Sequence, residues 1–356
     1  MTHGAPSIAA WSVISPFGLD QHQFRAGVAT GVRAAVPVPA QHGTVPADHA
    51  CLVPDFDVRA VLGRKGTRTM DRLSGLVVTA VRDLLTTVGE LDDPEATAVV
   101  LATHGSVQSM WQPTRDSLLA ERPFYIDPAS VPRSVMNCAA SEAARWHGLR
   151  GPNATVASGR TSGLLALDYA RRLLASGRAT QVLVGAAEEY SAARAWLEFH
   201  AYGTELLGEG CVMFLLEAAQ GEDEGYSPLA ELLGVQCRAH DHGDVAELLR
   251  DCLVEILDRY SVSADQLWVV CPSLLHGPLG DEERAGLEAV VGSTDARWIT
   301  PTTVLGETTV ATAAFQLAAV LAAADLAPCP DVRFAVVTSV DPEGTLACAL
   351  LRVVAT

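Results

Sequence analysis

Apolar runs of strand length alternate along this chain with longer segments whose apolar residues recur at helical spacing. The strand-like runs cover residues 8–14, 97–102, 154–157, 181–186, 211–217, 267–271, 334–338 and 345–354. Helical spacing marks 69–88, where Met70, Leu73, Val77, Ala80, Val81 and Leu84 share a face. It also marks 134–146, 161–176, 245–260, 281–291 and 308–324. Such alternation predicts an α/β layered fold. The strand–helix–strand grammar runs twice, before and after the acidic, glycine-containing stretch 220–226. Residues 1–219 and 226–356 therefore read as two similar halves of one compact unit.

Composition narrows the class. The chain has 356 residues, 49% of them hydrophobic, enough for a large core. No apolar run reaches the length of a membrane span; the longest, 313–324, holds Gln316 and reads as a core helix. The first strand follows with no basic region ahead of it, so no signal peptide is expected. Eight cysteines lie without C-x-x-C spacing, and Cys211, Cys271 and Cys348 sit among apolar residues. That pattern implies reduced, packed thiols, a cytoplasmic protein and no metal site. The net charge of −17 makes nucleic acid and anionic membranes poor partners. Lys65 is the only lysine, which leaves almost no lysine-based chemistry.

Candidate chemistry gathers at 151–163, which reads as a buried strand, a tight turn and a helix start. Ala157, Ser158 and Gly159 crowd the turn, and Leu164, Leu165, Leu167, Leu173 and Leu174 form the helix's apolar side. A turn of this kind sets one side chain at the positive end of a helix dipole, where a thiolate is stabilised. Here that side chain is Arg160, which cannot be acylated.

The start from Trp11 to Gly18, Phe56-Asp57 followed by the run from Leu62 to Arg72, the approach from Gly148 to Asn153, and the signatures 185–189 and 208–210 occur in a telling order. Together they resemble the β-ketoacyl synthases of the thiolase superfamily over almost the full length. The resemblance implies a thiolase fold, two similar βαβ-type halves giving α/β/α/β/α layers. It also implies a nucleophilic cysteine and two histidines that promote decarboxylation. Laid on those motifs, the cysteine position falls on Arg160, the first histidine on Ser273 and the second on Glu307. The lysine ahead of the second histidine becomes Thr302, and the glycine loop near the C-terminus becomes 339–344. The chain is also shorter than a usual ketosynthase. No catalytic residue and no cofactor are expected.

This pattern resembles the chain-length factor, the non-catalytic ketosynthase partner subunit of type II polyketide synthases. Its members commonly carry glutamine at the cysteine position, so Arg160 is a departure. The resemblance implies a heterodimer with a catalytic ketosynthase, which in turn meets the chain carried by an acyl carrier protein. The shortness points to the branch that makes reduced or polyene chains. In this family the region after the glycine turn at 105 lines the tunnel near the subunit interface. Here it offers Gln108, Met110, Trp111 and Thr114, then Phe124; Ser134, Met136, Asn137 and Cys138 begin a helix that crosses the interface. The alternative is that Met110, Trp111 and Phe124 are ordinary core residues.

A buried guanidinium needs a partner. Arg160 and Glu307 are expected to form a charge-assisted pair that plugs the vestigial site. His276 is read as a loop residue and His104-Gly105-Ser106 as a tight turn. Ser158, Thr161 and Ser162 are read as turn and cap groups, and Glu188 and Glu189 as members of a structural ion pair. A basic patch at Arg64, Lys65, Arg68 and Arg72 is a local exception to the acidic balance. Two other functions remain open: a repurposed acyltransferase or hydrolase using Ser158 or Ser273, and an acyl-binding homodimer.

Overall fold

The computed structural model describes residues 4–354 apart from 90, 92, 204–205, 220–227, 242–243 and 327–331. The expected connection at 220–226 lies outside the described residues. The first half runs β1 (Ser7–Ile14), α1 (Gln21–Thr30), β2 (Val36–Pro37), β3 (His49–Ala50), α2 (Val58–Leu62), α3 (Arg72–Val88), β4 (Thr97–Ala102) and α4 (Val107–Leu119). It continues α5 (Cys138–His147), β5 (Asn153–Val156), α6 (Ser162–Ala175), β6 (Gln181–Glu188), α7 (Ala192–Tyr202) and β7 (Gly210–Glu217). The second half runs β8 (Ala230–Ala239), α8 (Val245–Arg259), β9 (Leu267–Cys271), α9 (Pro278–Val291), β10 (Arg297–Trp298), α10 (Thr302–Leu305), α11 (Thr312–Leu326), β11 (Arg333–Asp341) and β12 (Thr345–Val353).

Among the described residues ten strands form one sheet in the order β10-β9-β11-β12-β8-β1-β7-β6-β4-β5. Each set of five has the same arrangement, its first strand innermost and its third at the rim. The two first strands, β1 and β8, meet antiparallel at Ser7–Glu231 and Ile8–Ala230. Within each set the second, third and fourth strands pair parallel and the fifth runs antiparallel to its neighbours.

Helices fill three layers. Helices α3 and α5 cover the outer face of the first set, and α8 and α9 that of the second. Between the two sets lie α6 and α11, each touching strands of both. The five-layered α/β/α/β/α arrangement expected from the sequence is therefore present. The central position explains why α11 is apolar all round instead of striped, with every residue from Thr312 to Ala323 buried. The segment Thr309–Leu326 is in fact long and apolar enough to cross a membrane, contrary to expectation, but 83% of it is buried inside the fold. Strand β4 has both faces covered and reads as a continuous apolar run.

Boundaries shift where caps and prolines act. Helix α3 begins at Arg72, three residues later than its periodicity suggests, because the Asp71 carboxylate accepts the Ser74 amide and fixes the start there. The helix expected from Ser134 begins only at Cys138. Pro128 and Pro132 hold 128–134 in a 3-10 turn, and Val135 is extended. The run 230–239 was not expected as a strand: Glu231, Gln236 and Arg238 interrupt its apolar residues, yet its alternating burial forms β8.

Candidate functional site

In each set the chain passes from the third strand through a turn into a central-layer helix. In the first, β5 leads through Ser158, Gly159 and Arg160 to α6. In the second, β10 leads through 299–311 to α11. Arg160 and Glu307 thus come from corresponding turns, and the stacking of α6 on α11 brings them together. The Arg160 Nη1 donates to Glu307 Oε2, forming an ion pair with the two side chains 3% and 11% exposed. The pairing expected from the sequence is present. Glu307 is itself held: Oε1 accepts the Thr309 amide at 2.5 Å and the Thr312 hydroxyl at 3.4 Å.

The arginine's charge is also answered at the helix end. Asp341 Oδ2 accepts the Arg160 amide at 2.6 Å, placing a carboxylate at the N-terminus of α6. Only glycine fits at 159, where φ is +61° and a Cβ would collide with the Asp341 carboxylate. The hydroxyls nearby are turn groups. Ser162 Oγ donates to the Gly159 carbonyl at 2.6 Å and accepts the Ser158 amide at 2.7 Å; Thr161 Oγ1 donates to the Ser158 carbonyl at 3.0 Å.

Ser273 and Thr302 form the other side. Ser273 is 1% exposed, and its hydroxyl donates to Glu283 Oε2 at 2.8 Å. Thr302 donates to the Ser273 carbonyl at 3.3 Å. The end of β11, 339–341, links the two clusters, since the Val340 amide donates to Ser273 Oγ and Asp341 caps Arg160. Glu283 is wholly buried and collects Ser273 N, Leu274 N and Thr338 Oγ1 as well; burial pushes its carboxyl up. Ser273 is a buried ligand of that carboxyl.

Two groups escaped the sequence reading. Arg194 on α7 is 1% exposed, and its guanidinium donates to the carbonyls of Glu189, Gly208 and Glu307 and to Thr309 Oγ1. An alanine-flanked arginine in a helix gives no signal for that role. The structural ion pair expected of Glu188 and Glu189 is instead Arg72 with Glu209, bidentate at 2.8 and 2.6 Å. Glu188 has His104 Nδ1 at 3.6 Å, and burial pushes its carboxyl up to about 8. Glu189 meets Ser106 Oγ and Leu73 N, and burial pushes it up to about 7. Among the described residues neither carboxyl makes a guanidinium ion pair.

The residues read as tunnel and interface groups lie on α4, in the segment after it, and at the turn into α5. Gln108 and Trp111 line a groove of about 880 Å³ between α4 and α7, whereas Met110, Thr114 and Phe124 are not among its lining residues. Trp111 is 48% exposed, Phe124 70% and Met136 48%, so Trp111 and Phe124 are not core residues. Met110 is half-buried, near Gly105. Asn137 is exposed, and Ser134 and Cys138 are half-buried around the turn into α5.

Layers, duplicated strand order and the elbow before α6 define a thiolase-type scaffold in which the elbow carries an arginine. Residues 7–206 match the model of the β-ketoacyl synthase N-terminal domain, and the chain belongs to the β-ketoacyl synthase family. It is similar to a chain of the ishigamide ketosynthase/chain length factor, 42% identical, with a TM-score of 0.92 over 99% of this chain and 100% of that one. A second structure, a type II polyketide synthase ketosynthase in complex with its acyl carrier protein (AntDE:AntF), shares the fold at 15% identity and TM-score 0.83, covering 99% of this chain and 100% of that one. The 3-oxoacyl-[acyl-carrier-protein] synthase 2 of Vibrio harveyi is 29% identical over 40% of this chain. That match spans only 35% of the synthase's length.

Proposed function

We propose that this chain is a chain-length factor: a non-catalytic subunit that pairs with an active ketosynthase and shapes the tunnel for a growing polyketide. The observation that carries this reading is the buried Arg160–Glu307 pair standing where acyl transfer needs a thiol and an imidazole. The positions of Ser273 and Thr302, both engaged in structural hydrogen bonds, support it. So does the full-length similarity to the ishigamide protein. We further read residues 1–219 and 226–356 as the two halves of one unit, and the partner as the subunit that meets the acyl carrier protein. We read the shortness of the chain as favouring a reduced or polyene product.

Trp111, Gln108 and the exposed residues Phe124 and Met136 are read as tunnel and interface groups. Co-expression with a catalytic ketosynthase that has an intact cysteine tests the assignment. The expected result is a one-to-one complex that makes polyketide, with no turnover by this chain alone. Trp111→Ala in the complex lengthens the product. A stable homodimer that leaves the ketosynthase unbound, or acylation of Ser158 or Ser273 in the isolated chain, would replace this reading with one of the two alternatives.

A further inference from the structure

Helix α7 has two faces. Ala193, Trp196, Leu197 and His200 recur at helical spacing and line the groove beside α4. Arg194 and Glu198, also one turn apart, are not among the lining residues. They reach toward the vacated site instead, and what they hold there is strained.

Thr309 is the strained residue. Its φ is +45°, a left-handed conformation that a β-branched side chain strongly disfavours. Such a conformation persists only where the surroundings over-determine it. Here they do. Glu307 Oε1 accepts the Thr309 amide at 2.5 Å. The Thr309 hydroxyl accepts from Arg194 Nη2 at 3.0 Å and donates to Glu198 Oε1 at 3.3 Å. Thr309 is only 6% exposed, so these contacts are sheltered from solvent.

Arg194 holds more than that hydroxyl. Its Nη2 also donates to the Glu307 carbonyl at 3.0 Å, and its Nη1 donates to the Gly208 and Glu189 carbonyls at 2.8 and 3.0 Å. The Gly208 amide donates to the same Glu307 carbonyl at 2.8 Å. One planar fork therefore ties together the residue after β6, the segment before β7 and the turn before α11. A lysine could not span them, because its donors radiate from one point. Glu307 is in turn the partner of Arg160. A continuous set of polar contacts thus runs from the elbow, through Glu307 and Thr309, into the helix that forms one wall of the groove.

We propose that Arg194 and Thr309 are positioning residues: they fasten α7 to the vacated site and so hold the groove wall at the spacing that sets product length, without lining the groove themselves. The ion pair at the elbow is then an anchor as well as a plug. The consequence for product length rests on the tunnel reading above; the fastening itself does not.

Thr309→Val and Thr309→Gly separate backbone strain from hydrogen bonding. Both lose the hydroxyl, but only glycine accepts the left-handed backbone without cost. The full-length chains are compared by amide hydrogen exchange of α7, read by mass spectrometry. The same chains, co-expressed with a catalytic ketosynthase that has an intact cysteine, are compared by product length. Thr309→Val speeds exchange in α7 about tenfold and lowers the share of wild-type-length product about tenfold, the population factor that a strained residue without its grip gives up. Thr309→Gly stays within about twofold of wild type in both. Arg194→Lys changes both in the same direction as Thr309→Val; if it does not fold, the two Thr309 variants decide. The proposal is overturned if Thr309→Val exchanges like wild type. It is equally overturned if Thr309→Gly changes as much as Thr309→Val, since the hydroxyl would then be a structural bond only. Loosened exchange with product length unchanged in an active complex overturns it too, and leaves the partner reading intact. A wild-type chain that pairs with no ketosynthase sinks the partner reading and the effect on length, while the exchange contrast still decides the fastening.

Discussion

Arg160→Ala isolates the central claim about the vacated site. The substitution removes a guanidinium that is 3% exposed and leaves the Glu307 carboxylate, 11% exposed, without it. Two unit charges about 3 Å apart attract by about 5–6 kcal/mol at the effective dielectric of about 20 that suits protein sites. Desolvation already offsets part of that gain, but it is not recovered when only one charge is removed. Breaking a buried pair from one side therefore costs about 3–5 kcal/mol. Since 1 kcal/mol moves the melting temperature of proteins of 150–250 residues by about 2–4 °C, a drop of about 5–10 °C is expected in this larger chain. Calorimetry on the purified subunit or its complex measures it. The double variant Arg160→Met with Glu307→Leu supplies the control, because an apolar pair of similar volume is often neutral or stabilising. It should lie well above either single variant, a coupling that additive sites do not show. A melting temperature for Arg160→Ala equal to wild type, or a double variant that loses the sum of the singles, would refute the plug.

Two further outcomes follow from the buried carboxyls. Glu188 ionises near pH 4.5 in the unfolded chain, but burial pushes it up to about 8 in the fold. The folded state therefore holds the extra proton between those values, and stability is greatest below about 4.5 and declines as pH rises to about 8, by at most about 1.4 kcal/mol per unit. His42, His104 and His147, all lowered by burial, act in the opposite sense below about 6.5. The measurement is therefore the difference between wild type and Glu188→Gln: the gap in melting temperature moves against wild type from pH 5 to 8, and a constant gap contradicts the buried acid. Ser273→Ala deprives the buried Glu283 of one of its donors and should cost about 1–3 kcal/mol in urea unfolding. Mass spectrometry of the wild-type chain after exposure to an acyl thioester should find no adduct on Ser158 or Ser273.

The layers and most strands were legible because parallel strands and central helices bury both faces and so write long apolar runs, as in β4 and α11. Strand β8 is hidden because its sequence does not alternate cleanly: Leu233 and Val235 lie on its half-buried face and Gln236 on its buried one. Helix α4 leaves little trace in the sequence, since Pro113 and its polar residues mask the helical spacing. The Arg160–Glu307 contact could be inferred because both residues stand at positions that a family motif brings together. Glu189 and Arg194 could not: their roles depend on which carbonyls and hydroxyls the fold sets beside them, and that is written in no local pattern.

The replacements at this site are physically linked, and Arg160→Cys makes the linkage measurable. Restoring a thiol at the N-terminus of α6 would by itself favour a thiolate, through the helix dipole. Here the thiol would face Glu307, now without its guanidinium, while Asp341 still accepts the backbone amide at 160. Asp341 beside the 160 amide and Glu307 at the far end of the emptied arginine space both disfavour a third anion, against the one helix end that favours it. The reintroduced thiol should therefore titrate above the ordinary cysteine value of about 8.5. Alkylation by iodoacetamide across pH 6–10 reads this directly, with the other thiols mapped by mass spectrometry. Adding Glu307→His to the same chain should bring the midpoint down, because an imidazole replaces the opposing charge. A thiolate forming below pH 7 in the single variant would mean that the carboxylates do not govern the elbow. The arginine would then be a lone replacement in a site still electrostatically fit for a nucleophile.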